Sequence, residues 1–270
     1  MVIDGKKISE EIISELKKKS SGNIPGELWV IRGPSDPTQE TYVKAKRAVA
    51  ERLGARFAEK LAGSEEEAIN FLKEAAKNPS CVGVIVQLPL PKEWGTDKIL
   101  SFVPETKDLD LLNPKTQILW REKKNHLIPP SVGALQKILE RYAPDFGGKK
   151  LAVAGDGRLI GLPILEWLKM NKIPVSVFDS KNPLTAEQAK EFDIITVGIG
   201  NPGIISGTDC KRGALVVDFG FTTSGGKLLG DFNPKGAEEN EVSYTKTPGG
   251  TGPILVACLF ENLFQSKQLL

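Results

Sequence analysis

At 270 residues the chain is long enough for one large domain or two ordinary ones, and two is the expectation. Apolar residues at 40% and charged residues at 26% are those of an ordinary folded protein, which argues against extensive disorder. With 36 basic and 34 acidic side chains, the formal charge of +2 provides no field for a polyanion, so nucleic acid is not expected as a partner.

Cys81, Cys210 and Cys258 are far apart, odd in number and without C-x-x-C spacing. That fits a reducing compartment and neither a disulfide framework nor a zinc site. The one histidine, His126, sits among Lys123, Lys124 and Asn125, so histidine triads and multi-histidine metal sites are removed and no metal is expected. The opening residues do not read as a secretory signal, and no stretch reaches the roughly 18 apolar residues of a membrane span. A cytoplasmic protein without membrane association is therefore expected.

In chain order, residues 8–19 read as a helix opened by Ser9, with Ile8, Ile12, Ile13 and Leu16 as its apolar stripe. Leu28–Ile31 is a short strand, followed by the turn-rich Arg32–Pro37 and an amphipathic helix with Val43, Ala50 and Leu53 on its apolar side. On that helix Tyr42 and Lys46 stand four apart and share a face. The ring could stack on a flat substrate while the amine exchanges protons with it, since a pocketed lysine loses its charge readily. The alternative is a half-buried tyrosine beside a solvated lysine.

Arg56–Leu61 is a further strand, and Ser64 to Glu67 forms a capping box ahead of a helix over Ala68–Ala76. The apolar run from Cys81 to Val86 suits a buried parallel strand, with Gln87 at its end and Pro89 and Pro91 stiffening the exit. Ligands collect beyond the carboxyl ends of such strands, where Gln87 belongs. A glutamine satisfied by loop backbone is the alternative. After a short helix near Asp97–Phe102, the loop Pro104–Pro114 carries Asp108 and Asp110, either as acceptors for an amino-substituted heterocycle or as a solvated turn.

Ser131 is expected to cap a helix that contains Leu135, Ile138 and Leu139. A second domain then opens on the strand Lys149–Ala154 and the turn Gly155-Asp156-Gly157-Arg158-Leu159-Ile160-Gly161, which leads into a helix through Trp167 and Met170. Glycines here let backbone approach a pyrophosphate at a helix N-terminus, although the spacing departs from G-x-G-x-x-G. The strand Val175–Phe178 ends in Asp179, followed by Ser180 and Lys181. An acid about 20 residues past such a turn is where a dinucleotide ribose 2′-hydroxyl is read. Strands at Ile194–Ile199 and Leu215–Phe219 continue the sheet, and the glycine-rich Thr247–Pro253 precedes an apolar helix over Ile254–Phe264.

Five ordered stretches together resemble the bifunctional methylenetetrahydrofolate dehydrogenase/methenyltetrahydrofolate cyclohydrolase family. They are Ile3-Asp4-Gly5-Lys6, Tyr42-Val43-Lys44-Ala45-Lys46, Val86-Gln87-Leu88-Pro89-Leu90-Pro91, Lys107-Asp108-Leu109-Asp110 and Pro248-Gly249-Gly250-Thr251-Gly252-Pro253. The resemblance implies an α/β protein of two domains with folate in the cleft. Residues 1–130 plus 248–270 would form a folate-binding catalytic domain, and 131–247 a Rossmann-like parallel-sheet NAD(P)-binding domain. It implies that Lys46 handles protons, Tyr42 stacks on the folate, Gln87 positions Lys46, Asp110 holds the pterin, and Pro248, Gly249 and Gly250 touch substrate. The nucleotide would lie on Gly155–Gly161 with Asp179, Ser180 and Lys181, and the protein would be a homodimer.

By resemblance the nucleotide is NADP, yet the usual Gly-Arg-Ser is Gly155-Asp156-Gly157 here, and the usual Cys-His-Ser is Phe178-Asp179-Ser180. Carboxylates at both places would repel a 2′-phosphate, which leans the local chemistry towards NAD, while Arg158 and Lys181 stand close enough in sequence to rescue a phosphate. On the folate side, Asp-Gly-Phe becomes Asp110-Leu111-Leu112, and Pro129-Pro130-Ser131-Val132 replaces Pro-Cys-Thr-Pro. The rivals are a member with only one of the two activities, or a non-catalytic folate or nucleotide sensor, for which Lys46 beside Gln87 would be superfluous.

Overall fold

The computed structural model describes residues 1–20, 24, 26–34 and 37–268, so Ser35 and Asp36 of the expected turn lie outside the described residues. The chain divides into two compact units, one of Glu10–Pro130 with Val256–Leu270, the other of Met1–Ser9 with Ser131–Leu255.

The chain opens with β1 (Val2–Ile3) and α1 (Gly5–Lys19), and α1 passes from one unit into the other. Ser9 does not open α1. It is buried inside the helix, and Asp4 Oδ1 accepts from the Lys6 N–H instead.

The unit built on residues 10–130 contains β2 (Glu27–Arg32), α2 (Pro37–Arg52), β3 (Arg56–Leu61), α3 (Glu65–Lys77), β4 (Cys81–Val86), α4 (Thr96–Ser101) and α5 (Pro114–Arg121). Its parallel sheet has the order β3-β2-β4. The central strand β2 is buried from Leu28 to Arg32, which explains its unbroken apolar run. Trp29, Ile31, Leu72, Val84 and Leu100 meet in its core. Ser64 caps α3 by accepting from the Glu67 N–H, while the Glu67 carboxylate reaches one residue further back, to the Gly63 N–H. Helix α5, absent from the sequence reading, starts on Pro114 behind the cap Asn113.

The other unit contains α6 (Pro130–Tyr142), β5 (Leu151–Ala154), α7 (Gly161–Met170), β6 (Val175–Phe178), α8 (Ala186–Ala189), β7 (Ile194–Val197), β8 (Ile205–Ser206), β9 (Leu215–Asp218), β10 (Thr222–Ser224), β11 (Lys227–Leu229), β12 (Phe232–Asn233) and β13 (Ser243–Thr245). The final helix α9 (Thr251–Gln268) runs from this unit into the first. Ser131 does not cap α6. The helix starts at Pro130, and the buried Ser131 hydroxyl has no hydrogen-bond partner among the described residues.

Six strands form a parallel sheet in the order β1-β13-β9-β7-β5-β6. Strands β5, β7 and β9 are buried along their whole length, whereas the edge strand β6 is half open. The order reverses between β5 and β7, and such a switch point is where open parallel sheets place their ligands. The terminal assignment differs from the sequence reading. Residues 1–9 and 248–255 pack with this sheet, because β1 adds to it as a parallel edge strand beside β13 and the loop ahead of α9 follows β13 directly.

Candidate active site

Helix α2 turns Val43 and Ala50 into the core of its unit, with Leu53 buried just beyond its end, and this sets the direction in which Tyr42 and Lys46 project. Lys46 is 7% exposed, so the solvated-lysine alternative fails. Its Nζ donates to Gln87 Oε1 at 2.8 Å, and Gln87 Nε2 donates to the Leu88 carbonyl at 3.1 Å. The Gln87 amide is thus fixed at both ends, by the loop that leaves β4 and by the amine.

Burial lowers the pKa of Lys46 below that of a free lysine, and the Asp110 charge works against the shift. For Asp110 burial raises the pKa, and the Lys46 charge opposes it. The amine therefore sheds its proton more readily than an ordinary lysine, within the field of a carboxyl that gives up its own proton less readily. The Tyr42 phenol, pushed up to about 12 by burial, stays neutral at physiological pH.

The loop that carries Asp110 is held by Asp108 rather than solvated. Asp108 is 1% exposed and accepts from Thr116 Oγ1 and from the N–H groups of Leu112 and Asn113. Leu109 packs inwards, so closely that a Cβ on Gly83 would lie 2.6 Å from its Cδ1. Between these two inward anchors and Leu111, which has a left-handed φ of 54°, the Asp110 carboxylate comes within electrostatic reach of Lys46.

Two further side chains of this region escape a sequence reading. Gln39, one turn before Tyr42, donates from Nε2 to the Pro89 carbonyl at 2.7 Å, while its buried Oε1 has no partner among the described residues. Its position seven residues before Lys46 on one helix face was the available signal. Arg32, at the end of β2, is buried and bonded to Glu40 of α2 and Glu59 of β3.

In the other unit, the turn after β5 combines a tight backbone with open side chains. Gly155 has φ +107°, and a Cβ there would sit 2.7 Å from the Gly198 carbonyl at the exit of β7. A Cβ on Gly161 would lie 1.8 Å from the Gly155 carbonyl, so only glycine lets α7 begin this close to the strand. Asp156, Gly157, Arg158 and Leu159 are exposed, Ile160 is half-buried, and Ile160 gives α7 no side-chain cap. In the first turn of α7 the Leu162 N–H donates to the Gly157 carbonyl at 3.1 Å and Pro163 carries no N–H, so this helix start offers fewer backbone donors than an uncapped helix ordinarily does.

Asp179 lies beside this turn, since the Gly155 N–H donates to the carbonyl of the preceding residue, Phe178. Its Oδ1 accepts from the Lys181 N–H at 2.7 Å and the Asn182 N–H at 2.8 Å. The backbone donors of Asn182 and Lys181 hold its carboxyl below the usual carboxylate range, so a fixed negative charge stands there. Ser180 and Lys181 are exposed.

Pro248, Gly249 and Gly250 lie in this same unit. Lys246 Nζ bonds Asp4 at 2.6 Å, and a Cβ on Gly5 would be 1.7 Å from the Gly250 carbonyl. The first and last of the five motifs are thus packed against each other. Among the described residues there is no group of three or more His, Cys, Asp or Glu arranged to hold a metal, and no helix long and apolar enough to cross a membrane.

Residues 3–110 match the family described as tetrahydrofolate dehydrogenase/cyclohydrolase, catalytic domain, and residues 129–269 match its NAD(P)-binding domain. The chain belongs to that family. The tetrahydrofolate dehydrogenase/cyclohydrolase catalytic-domain match spans Tyr42, Lys46 and Gln87 and ends on Asp110. The NAD(P)-domain match spans the glycine turn, Asp179 and Pro248–Gly250. The bifunctional protein FolD of Nautilia profundicola is 33% identical over 278 residues, covering 99% of this chain and 97% of that protein. That of Aquifex aeolicus is 30% identical, covering 98% and 94%. The FolD dehydrogenase/cyclohydrolase structure from Campylobacter jejuni superposes with a TM-score of 0.90 at 29% identity over 100% of this chain and 99% of that one. A Trypanosoma brucei FolD, complexed with NADP and an inhibitor, gives 0.89 at 28% identity over 100% and 97%. The chain is accordingly a two-domain α/β enzyme that combines methylenetetrahydrofolate dehydrogenase and methenyltetrahydrofolate cyclohydrolase activities.

Proposed function

We propose that Lys46 is the proton carrier of the hydrolytic step, with Gln87 positioning it, Tyr42 stacking on the substrate and Asp110 holding the pterin. The observation that carries this reading is the buried Lys46 amine, held at 2.8 Å by Gln87 in the field of Asp110. In the first step the substrate is oxidised at its methylene carbon, and a bound nicotinamide supplies the acceptor for the departing hydride. In the second step Lys46 takes a proton from the water that adds to the methenyl carbon. It returns that proton to the ring nitrogen as the carbon–nitrogen bond opens and the remaining hydroxyl proton leaves to solvent, which yields 10-formyltetrahydrofolate. The amine must be neutral to start, and burial shifts its proton affinity in that direction while the Asp110 charge opposes it.

For the nucleotide, the residues at Gly155–Gly161 fit a pyrophosphate, and Asp179 fits a ribose with a free 2′-hydroxyl. The reading is NAD over NADP, because an ionised carboxylate fixed beside Gly155 repels a 2′-phosphate. Pro248, Gly249 and Gly250 are assigned to substrate contact, and the protein to a homodimer in the cytoplasm, on family resemblance. Turnover of 5,10-methylenetetrahydrofolate with each nucleotide tests the proposal. Faster turnover with NAD at equal subsaturating concentration supports it, whereas faster turnover with NADP removes Asp179 from its role. Hydrolysis of supplied methenyl substrate, followed separately, tests the Lys46 assignment independently of either nucleotide.

A further inference from the structure

The roles assigned so far leave aside the two most deeply buried carboxylates of the NAD(P) unit. Asp218, the last residue of β9, is 1% exposed, and Asp231, just before β12, is fully buried. Among the described residues neither forms an ion pair; backbone N–H groups hold both instead. Asp218 Oδ1 accepts from Gly220 at 2.8 Å and Asp231 at 3.3 Å, and its Oδ2 accepts from Phe232 at 3.1 Å. Asp231 Oδ2 accepts from the N–H groups of Ile199 at 2.6 Å and Gly200 at 2.9 Å. Its Oδ1 is buried without a partner among the described residues.

Burying two adjacent carboxylates without a cation is unfavourable. The strain is visible in Asp218, whose carboxyl is pushed up to about 7, by burial first and by the nearby Asp231 charge as well. The surrounding backbone is cut to fit the pair. A Cβ on Gly220 would lie 2.0 Å from Asp231 Cγ, and one on Gly230 would lie 2.0 Å from Asp218 Oδ2.

What Asp231 holds explains why such an arrangement persists. Ile199 and Gly200 form the exit of β7, on the far side of the switch point from the glycine turn. The Gly198 carbonyl just before them is the surface against which Gly155 packs, and a Cβ on Gly198 would meet Ile160 at 3.1 Å. The position of the β7 exit therefore sets one wall of the turn assigned to the pyrophosphate. We propose that Asp231 is a positioning residue for nucleotide binding, which fixes the Ile199–Gly200 exit and through it the Gly155–Ile160 turn. This rests on the reading that the Gly155–Gly161 turn binds NAD(P).

The test compares the parent with Asp231→Leu, Asp231→Asn and Gly220→Ala, using NAD and NADP as probes. The readouts are nucleotide Kd, dehydrogenase KM and kcat, and nucleotide-free hydrolysis of methenyltetrahydrofolate. Asp231→Leu should raise nucleotide Kd and KM by about tenfold or more, with kcat changed by less than about threefold. Hydrolysis should stay within about twofold, since Lys46, Gln87, Tyr42 and Asp110 lie in the other unit. Asp231→Asn keeps an oxygen that accepts from both N–H groups and should bind within about threefold of the parent. Gly220→Ala, which drives a methyl into the Asp231 carboxylate, should weaken nucleotide binding without loss of hydrolysis.

A folded Asp231→Leu protein that binds nucleotide like the parent overturns the inference, as does an equal loss of hydrolysis and nucleotide binding. If Asp231→Leu fails to fold, Gly220→Ala decides: weakened binding supports the role and unchanged binding overturns it. A parent that binds neither nucleotide overturns the underlying reading together with this one, whereas equal binding by parent and variant overturns this one alone.

Discussion

The two functional regions solve opposite problems. Around Lys46 the protein removes water: a buried amine, an amide fixed at both ends, a carboxyl with raised pKa and a neutral phenol stand together. Around Gly155 it exposes backbone: the side chains of Asp156 and Arg158 lie in solvent, the first turn of α7 has no side-chain cap, and Asp179 is tied down by backbone N–H groups. Proton transfer near neutral pH requires a perturbed pKa, and burial is the cheapest way to perturb a lysine. Holding a diphosphate requires oriented N–H groups within reach, and burial of the empty site would defeat it. The contrast teaches that a substitution in one region should leave the function of the other nearly intact.

The strongest way to break that contrast is Lys46→Met. It should lower methenyl hydrolysis by about 10²–10⁴-fold, the range that a positioned acid–base group contributes, with nucleotide Kd unchanged. Parallel hydrolysis and binding assays check both halves. Replacement of Asp179 by Ser removes the fixed charge beside Gly155, and NADP should then gain on NAD in kcat/KM by about tenfold. Hydrolysis of supplied methenyl substrate should not change. Gly83→Ala sharpens the comparison from the side of stability. A methyl 2.6 Å from Leu109 and 3.0 Å from Leu263 overpacks the support of the Asp110 loop. It should lower unfolding free energy by about 1–3 kcal/mol and raise the folate KM, again without effect on nucleotide Kd.

Much of the fold was legible because long buried elements leave long patterns. The apolar run Cys81–Val86 and the strands near Leu151, Ile194 and Leu215 became sheet strands because both faces of a parallel sheet are covered. Short elements leave no period to read, so β1, β13 and the two- and three-residue strands between them went unseen. The misplaced caps have a common cause. Ser9 and Ser131 are small polar residues near helix starts, but both are buried inside their helices, and Asp4 and Pro130 open the chain there.

For the site, the spacing of Tyr42 from Lys46 and of Asp179 from the glycine turn carried chemical meaning that the sequence displays. Gln39 did not stand out, because a glutamine on an amphipathic helix reads as solvent-facing until its bond to the Pro89 carbonyl is seen. Asp218 and Asp231 were equally silent. An aspartate beside glycine at a strand end looks like an ordinary turn residue, and only the packing shows that both are buried.

The central claim is that Lys46 works as a base whose proton affinity is set by burial and by Asp110. The most direct test is the pH–rate profile of methenyl hydrolysis for the parent and for Asp110→Asn. Hydrolysis should fall at acid pH as Lys46 takes up a proton. The Asp110 charge raises the Lys46 pKa, so its removal should move that acid limb to lower pH, even where the maximal rate falls through weaker pterin binding. An acid limb that stays in place, or moves to higher pH, would contradict the coupling of Lys46 to Asp110 and with it the account of the catalytic centre.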